Sequence, residues 1–149
     1  MEFAFHDGFD ELESERLKLK VIVKNPGNER EIPYYWYEIQ RKPDFTPVGK
    51  ISIRIGHNYH SYYNGNIGYE IDEDFRGHHY AREAAELVLK VARYHGMEKI
   101  YLTCEEDNKA SYRTIEGLGA ELVEITEVPR DYFGWYEEIP RYRVYELEI

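Results

Sequence analysis

The hydrophobic pattern changes period near residue 75, and this change limits the possible folds more than any other feature. Before it, Ile67–Asp72 has the composition of a short strand that ends in an acidic turn. After it, apolar residues recur on one helical face between Tyr80 and His95, and Gly96 stands where a helix cap is expected. Those apolar residues are Ala81, Ala84, Val88, Val91 and Ala92. A strand that turns directly into a helix predicts an α/β (α+β) fold.

Three segments before this turn are predicted as strands, namely Arg16–Lys24, Ile32–Gln40 and Val48–Ile55. Only the turn Asn25–Asn28 separates the first two, and a loop is predicted over His57–Asn66. With the strand before residue 75 as the fourth, this half of the chain predicts an antiparallel meander.

The second half of the chain adds another strand and helix. Lys99–Cys104 is predicted as the fifth strand, and Asn108 can cap a helix that runs to about Leu118. Two further strands are predicted over Ala120–Glu127 and Arg141–Glu148.

The composition limits the class of protein. A chain of 149 residues with 42% hydrophobic content predicts one domain over residues 1–149. No segment approaches the roughly 20 apolar residues of a membrane span, and Met1–Asp10 carries acidic residues in place of a basic n-region. We therefore expect a cytoplasmic protein with no membrane partner. The single cysteine, Cys104, can form neither an internal disulfide nor a zinc site by itself.

The formal net charge of -10 opposes binding to a phosphate backbone, so no nucleic-acid partner is expected. The same acidity can attract a cationic acceptor molecule, or it can serve only to keep the protein soluble.

The turn Phe75–Ala81 carries the clearest sign of chemistry. A helix N-terminus leaves backbone N–H groups unpaired, and the helix macrodipole adds partial positive charge there. Arg76 supplies a cation, Gly77 lets the backbone approach a ligand closely, and His78 and His79 add donors. The turn therefore suits a diphosphate, although a glycine before a helix can also be only a turn residue.

These residues resemble the GNAT superfamily of acyl-CoA N-acyltransferases, whose phosphate loop has the form Arg/Gln-x-x-Gly-x-Gly/Ala. The matching segments are Arg76–Ala81 for the loop, Ile67–Ile71 for the strand before it, Asn108–Ser111 for Asn-x-x-Ser, and Leu118-Gly119 for Leu-Gly. The resemblance runs from about Val48 to Ala120. More loosely, the sequence resembles a bacterial branch of predicted acetyltransferases.

The resemblance implies a mixed, mostly antiparallel central sheet whose fourth and fifth strands splay apart, with two main helices after the phosphate loop. Because the first strand turns straight into the second, we expect the N-terminal helices that normally cover the acceptor site to be reduced. Acetyl-CoA is implied as the acyl donor, with its pantetheine arm on the exposed edge of the fourth strand, and no metal is implied. The implied cofactor contacts are Tyr69, Ile71, Arg76, Gly77, His78, His79, Tyr80, Ala81 and Asn108.

Two positions depart from the family pattern. His79 stands where the first loop glycine is expected, so its Cβ restricts the backbone angles there. Ile115 occupies the position where many members carry a tyrosine that protonates the departing thiolate. That role must pass to another residue or to water.

The resemblance implies direct attack by an amine on the thioester, which requires a base. Glu70, on the fourth strand, is the first candidate, although it can also point only to solvent. His57 and His60 are the alternative bases, and without a third ligand they predict no metal site. Ser111 and Tyr112 are the nearest donors for the leaving thiolate, and Tyr112 can equally be a packing residue.

The predicted function is an acetyl-CoA-dependent N-acetyltransferase that moves the acetyl group to a primary amine of a small molecule or peptide. One alternative is a non-catalytic acyl-CoA-binding regulator with the same fold. The other is a protein-interaction domain that does not bind coenzyme A.

Aromatic residues offer two readings of the acceptor side. One aromatic cluster is predicted to form either a cage for a cationic acceptor or part of the core and a dimer surface. It consists of the run Tyr34–Tyr37, Trp135 and the tyrosines of a middle segment, residues 59–63. The loop Pro129–Pro140, or the second subunit of a homodimer, is expected to close the acceptor pocket. The aromatic residues of the middle segment are Tyr59, Tyr62 and Tyr63.

Overall fold

The computed structural model describes residues 3–149. Met1 and Glu2, part of the segment that lacks a basic n-region, lie outside the described residues. The strands are β1 Glu11–Glu13, β2 Leu17–Asn25, β3 Tyr34–Arg41, β4 Thr46–Arg54, β5 Ile67–Ile71, β6 Lys99–Glu105, β7 Glu121–Thr126 and β8 Tyr142–Glu148. The helices are α1 Tyr59–Asn64, α2 Tyr80–Tyr94 and α3 Lys109–Gly117, with short 3-10 turns at Asp7–Phe9 and Glu73–Phe75. The predicted fourth and fifth strands are therefore β5 and β6.

Two antiparallel sheets form the frame of the molecule. The first has the strand order β1-β2-β3-β4-β5 and the second has the order β6-β8-β7. β5 and β6 are edge strands of different sheets, and they meet where the Asn66 N–H donates to the Tyr101 carbonyl at 2.6 Å. Beyond this point they separate, so the α+β class and the splayed fourth and fifth strands are confirmed.

The two helices predicted after the turn are confirmed. α2 packs its apolar face on β4 and β5, and Gly96 follows it with a φ of +84°. α3 begins after Asn108, whose side-chain oxygen accepts the Ser111 N–H at 3.2 Å. No helix among residues 3–149 is long and apolar enough to cross a membrane.

The loop predicted over His57–Asn66 is wrong, because α1 lies within it. The Asn58 side chain accepts the Ser61 N–H at 2.7 Å, and the Ser61 hydroxyl accepts the Asn58 N–H at 2.8 Å. This reciprocal capping box stabilises a helix of 6 residues, which is too short for its hydrophobic period to reveal it. The three-residue strand β1 was missed for the same reason.

The core lies between α2 and one face of the first sheet. In β3, Tyr35 and Tyr37 are 0% exposed on that face, and the Tyr35 hydroxyl lies 2.8 Å from His95 at the end of α2. Tyr34 and Trp36 are half-buried on the opposite face. The prediction of a cage that uses all four aromatic residues of the run Tyr34–Tyr37 is therefore wrong, because successive strand residues point to opposite faces of a sheet.

The opposite face of the first sheet receives no helix from the connection between β2 and β3. β2 ends at Asn25, β3 begins at Tyr34, and residues 26–33 form a loop. The expected reduction of the N-terminal helices is confirmed within residues 3–149. Half-buried side chains such as Trp36 and Arg54 consequently lie on this face.

Candidate active site

A cleft of about 280 Å³ opens where β5 and β6 diverge. The edges of these two strands form its sides, and the end of α1 and the beginning of α3 and β8 complete the wall. It is lined by Tyr63, Asn64, Ile67, Gly68, Tyr69, Thr103, Cys104, Glu105, Asn108, Ser111 and Tyr142. Of the residues predicted for the site, the structure brings Tyr69, Asn108 and Ser111 together here.

Asn66 holds the two strands together at the closed end of the cleft. Its side chain is 0% exposed. The amide nitrogen donates to the carbonyls of Arg54 and Gly56 at 3.0 and 2.9 Å, and the amide oxygen accepts the Tyr101 N–H at 2.9 Å. Sequence analysis missed this role, because an asparagine at the end of a loop gives no sign of its burial.

β5 presents a free main-chain edge to the cleft. The Asp72 N–H donates to the Val48 carbonyl at 2.9 Å. In this antiparallel pair, the main-chain groups of the even-numbered residues of β5 therefore form their hydrogen bonds with β4. The main-chain groups of Tyr69 and Ile71 therefore point toward the cleft. The Ile71 carbonyl accepts from Arg76 Nε at 2.9 Å. The Tyr69 N–H and C=O have no partner among residues 3–149.

The predicted phosphate loop, Arg76–Ala81, leads straight into α2. Gly77 has a φ of +90° and His79 a φ of +62°, so the chain turns sharply through left-handed conformations before Tyr80. No side chain caps α2, and the N–H groups of residues 77–82 have no acceptor in the described part of the chain. Unpaired amides at the positive end of a helix dipole form a site suited to an anion.

Arg16 clamps this loop from the turn between β1 and β2. Its Nη2 donates to the His78 carbonyl at 2.9 Å, its Nε donates to Glu83 at 2.7 Å, and its guanidinium lies 5.0 Å from the Tyr80 ring centroid. Ser14 donates to the second Glu83 oxygen. Burial alone would raise the pKa of Glu83, but the hydrogen bonds from Ser14 and Arg16 hold this pKa below its usual value. Sequence analysis missed this clamp, because 67 positions separate the two partners of its ion pair.

Ser111 connects the start of α3 to β5. Its hydroxyl lies 2.9 Å from the Tyr69 phenol oxygen. Burial raises the pKa of Tyr69 and also raises the pKa of Cys104. The phenol and the thiol therefore stay protonated at neutral pH, so this wall supplies hydrogen-bond donors and no thiolate nucleophile.

Tyr112 and Ile115 follow Ser111 on α3 but do not line the cleft. The Arg143 guanidinium lies 4.1 Å from the Tyr112 ring centroid, and Ile115 is 1% exposed in the core. The geometry favours packing as the role of Tyr112, and nothing in it supports the predicted proton donation by this phenol.

The predicted bases do not line the cleft either. Glu70 is exposed on the sheet face opposite α2, and its catalytic role stays a prediction. His60 Nδ1 accepts the Phe133 N–H at 3.1 Å, while His57 is exposed. The carboxylate that does line the cleft is Glu105, the last residue of β6. Sequence analysis missed it, because the predicted fifth strand stopped one residue earlier.

The loop Pro129–Pro140 packs against α1. The Tyr59 hydroxyl donates to Asp131 at 2.5 Å, and the rings of Tyr63 and Tyr132 have centroids 5.9 Å apart. Because Tyr63 lines the cleft, the loop lies directly beside it. Closure of an acceptor pocket by this loop stays a prediction.

A larger groove of about 860 Å³ lies at the other end of α2, with His95, Lys99 and Ile149 among its lining residues. His57, one of the predicted alternative bases, lines this groove, but none of the residues predicted to bind a cofactor does, so we place the candidate site in the smaller cleft. No group of three or more His, Cys, Asp or Glu side chains in the described part of the chain is arranged to hold a metal ion.

Comparison with known families adds an observation independent of this geometry. The model of the acetyltransferase (GNAT) domain family matches residues 5–121. The chain belongs to the GNAT acetyltransferase family. No curated protein matches the sequence of this GNAT chain.

Several solved structures share the fold of this GNAT chain. A Vibrio cholerae protein, provisionally described as a ribosomal-protein-serine acetyltransferase, has a TM-score of 0.68 and 16% identity over 93% of this chain and 97% of its own. The Salmonella typhimurium acetyltransferase that modifies the N-terminal serine of ribosomal protein L7/L12 has a TM-score of 0.60 and 20% identity, covering 78% of this chain and 64% of its own. The microcin C7 self-immunity acetyltransferase MccE, solved with acetyl-CoA and AMP, has a TM-score of 0.59 and 21% identity. The match covers 78% of this chain and 61% of the MccE chain.

Proposed function

We propose that this GNAT domain transfers an acetyl group from acetyl-CoA to a primary amine of a small molecule or peptide, by direct attack of the amine on the thioester. The observation that carries the proposal is the free edge of β5 at Tyr69, which opens into the same cleft that Ser111 and Glu105 line. The family match and the acetyl-CoA complex of the structural neighbour MccE support the choice of donor.

The residues present fit acetyl-CoA. The unpaired amides of residues 77–82, together with Arg76, would hold the diphosphate. The free N–H and C=O of Tyr69 would pair with the amide groups of the pantetheine arm, as in strand addition. Asn108 and Ser111 would lie along the other side of the arm.

When bound, acetyl-CoA supplies a thioester carbonyl that is open to attack by an amine. The Tyr69 N–H, aimed at the cleft, would stabilise negative charge on the carbonyl oxygen. Glu105 would accept the amine proton, directly or through water. Glu70, the first base predicted from the sequence, is on the face of β5 opposite α2, and its catalytic role stays a prediction.

Ser111 would donate a hydrogen bond to the departing sulfur, with the Tyr69 phenol bonded behind it. Because burial raises the pKa of Tyr69 above that of a thiol, which is about 8.5, proton transfer from the phenol to the thiolate is unfavourable. The pair therefore stabilises the thiolate by hydrogen bonding, and the thiolate takes its proton from bulk solvent, because neutral pH lies below the thiol pKa of about 8.5.

A peptide N-terminus is one acceptor that the structural neighbours support, because the Salmonella protein modifies a ribosomal-protein N-terminal serine. Tyr63 and Tyr142 line the acceptor side of the cleft together with Glu105. These residues suit an amine that approaches between α1 and β8.

Acetyl transfer itself is the first test. The purified chain, incubated with acetyl-CoA and a panel of amino acids, polyamines, aminoglycosides and short peptides, should release thiol with at least one acceptor. Ser111→Ala should lower kcat about tenfold, because the departing thiolate loses a hydrogen bond. Thr126→Ala, at an exposed hydroxyl in β7, is the control and should leave kcat unchanged. Equal kcat for Ser111→Ala and the wild type would contradict the role of Ser111.

The loop clamp gives a separate prediction. Arg16→Ala should raise the Kd for coenzyme A about threefold to tenfold, because the ion pair with Glu83 is worth roughly 1 kcal/mol at a partly exposed site. Calorimetric titration measures this Kd. Glu86→Ala removes an exposed ion pair with Arg82 on the same helix, 3.7 Å long, and should not change it. An unaltered Kd for Arg16→Ala would mean that the clamp does not position the loop.

A non-catalytic acyl-CoA-binding regulator is the second candidate function. It is favoured by Ile115 in the place of the usual tyrosine and by the packing of Tyr112 away from the cleft. Coenzyme A binding without thiol release from any acceptor would select this alternative. A protein-interaction domain would show no thermal shift with coenzyme A.

A single domain in the cytoplasm, with no nucleic-acid or membrane partner and no metal, remains part of the proposal. A homodimer is also proposed, and β7 is the edge it would use. Leu122, Val123 and Ile125 are 46%, 48% and 38% exposed on this edge strand, and exposed apolar edges favour pairing with another chain.

A further inference from the structure

Arg54, the last residue of β4, is a partly buried cation without an acidic partner. Its side chain lies on the sheet face opposite α2, above Gly68, where both terminal nitrogens come within 3.5 and 3.6 Å of the position that a Cβ would occupy. Gly68 lines the cleft, as does Asn64, which also contacts the guanidinium. Arg54 therefore adjoins the acceptor side of the cleft.

The hydrogen bonds of Arg54 leave part of its guanidinium free. Nη1 donates to the Gly65 carbonyl at 3.1 Å. The Asn64 amide, oriented by its partners, accepts from Nε and from Nη2, both at 3.2 Å, and donates to the Tyr132 hydroxyl. A guanidinium has five N–H groups, and these bonds use three. One N–H on each terminal nitrogen has no acceptor among residues 3–149.

No carboxylate compensates the charge of Arg54. Ion pairs within 4.0 Å occur at ten places in the described part of the chain, and none includes this residue. Burial lowers the pKa of Arg54, and the charge of Glu31 raises this pKa, but only from beyond ion-pair distance. A guanidinium nevertheless stays protonated at neutral pH.

This arrangement is unusual in so acidic a chain. With 29 Asp and Glu residues against 19 Lys and Arg, a carboxylate partner for a partly buried cation is easily provided by the protein itself. A buried charge without such a partner is unfavourable. Each terminal nitrogen keeps one N–H without an acceptor, so the guanidinium can still donate to the oxygens of a carboxylate.

We infer that the acceptor of this enzyme is a primary amine that carries a carboxylate close to it, and that Arg54 binds the carboxylate. This inference rests on the proposed acetyl transfer. Arg54 lies over Gly68, and the N–H proposed to stabilise the reacting carbonyl belongs to the next residue, Tyr69. The two contacts therefore lie at neighbouring positions of β5, whose Cα atoms are about 3.8 Å apart, so the acceptor's carboxylate must be close to its amine. An α-amino acid has this spacing, and so does a peptide that begins with an acidic residue.

The test compares acceptors that differ only in the carboxylate. Acetyl transfer is measured with the 20 standard L-amino acids and with their carboxamides, and with short peptides that begin with Asp or with Asn. The wild type should favour the carboxylate form of its best acceptor by at least about 30-fold in kcat/KM, since leaving a buried charge unpaired is costly. Preference for free amino acids over carboxamides indicates the α-carboxylate as the group bound, whereas preference for Asp over Asn peptides indicates an acidic side chain.

Arg54→Gln should remove this preference by slowing only the carboxylate-bearing acceptors. A purely structural role for Arg54 would instead lower kcat/KM equally for both members of a pair. If Arg54→Gln does not fold, Arg54→Lys replaces it, because a single ammonium cannot donate from two nitrogens. Equal rates for the acid and amide forms with the wild type would overturn the inference by themselves, as would an unchanged preference in the variant. Absence of transfer to any acceptor would instead reject the proposed acetyl transfer, and the inference with it.

Discussion

Gly77→Val is expected to raise the Kd for coenzyme A at least about tenfold. Gly77 has a φ of +90°, and holding a β-branched residue in such a conformation costs about 1–3 kcal/mol. An added Cβ would meet no atom within 4 Å, so the effect comes from the backbone and not from a clash. The loop is expected to relax to a negative φ, which turns the amides before α2 away from the diphosphate. Calorimetric titration with coenzyme A measures the change.

Gly96→Val is a matched control for this experiment. Gly96 lies at the other end of the same helix, has a φ of +84° and also has no atom within 4 Å of an added Cβ. Both variants should lose a similar amount of unfolding free energy, but only Gly77→Val should lose affinity. If the two variants bind coenzyme A equally well, the amides before α2 do not form the diphosphate site.

Asn66→Leu is expected to lower the free energy of unfolding by about 3 kcal/mol. The substitution leaves the Tyr101 N–H and the carbonyls of Arg54 and Gly56 without their side-chain partner in a site that is 0% exposed. Each unpaired buried polar group costs about 1–3 kcal/mol, although partial rearrangement recovers some of this. Urea unfolding monitored by circular dichroism measures the loss.

Asn28→Ala is the control for the buried asparagine. Its side-chain oxygen accepts the N–H groups of Arg30 and Glu31 at 2.8 and 3.0 Å, but this turn is exposed and water can replace the bonds. We expect a change of about 0.5 kcal/mol or less. Equal losses for the two variants would show that Asn66 does not fix the junction of β5 and β6. Asn66→Leu should also weaken coenzyme A binding, because the cleft begins at this junction.

Local patterns in the sequence were sufficient to predict most of the elements that carry the site. The change of period before Tyr80 identified α2 and the loop ahead of it, and Asn108 identified the start of α3. Both signals depend on residues within one or two helical turns, where backbone geometry fixes which neighbours can meet. α1 escaped prediction although its capping box is also local, because one short turn of aromatic and polar residues has no distinctive hydrophobic period.

The sequence by itself determined the order of the strands β2–β8 and of the helices α2 and α3, the unpaired amides before α2 and membership of the GNAT family. Only the tertiary structure decided which side chains meet in the cleft. It placed Glu105 there in preference to Glu70, packed Tyr112 against Arg143, and left Arg54 without a carboxylate. The physical reason is that periodicity reports which face a residue occupies, whereas contacts between distant segments depend on where two separate sheets diverge.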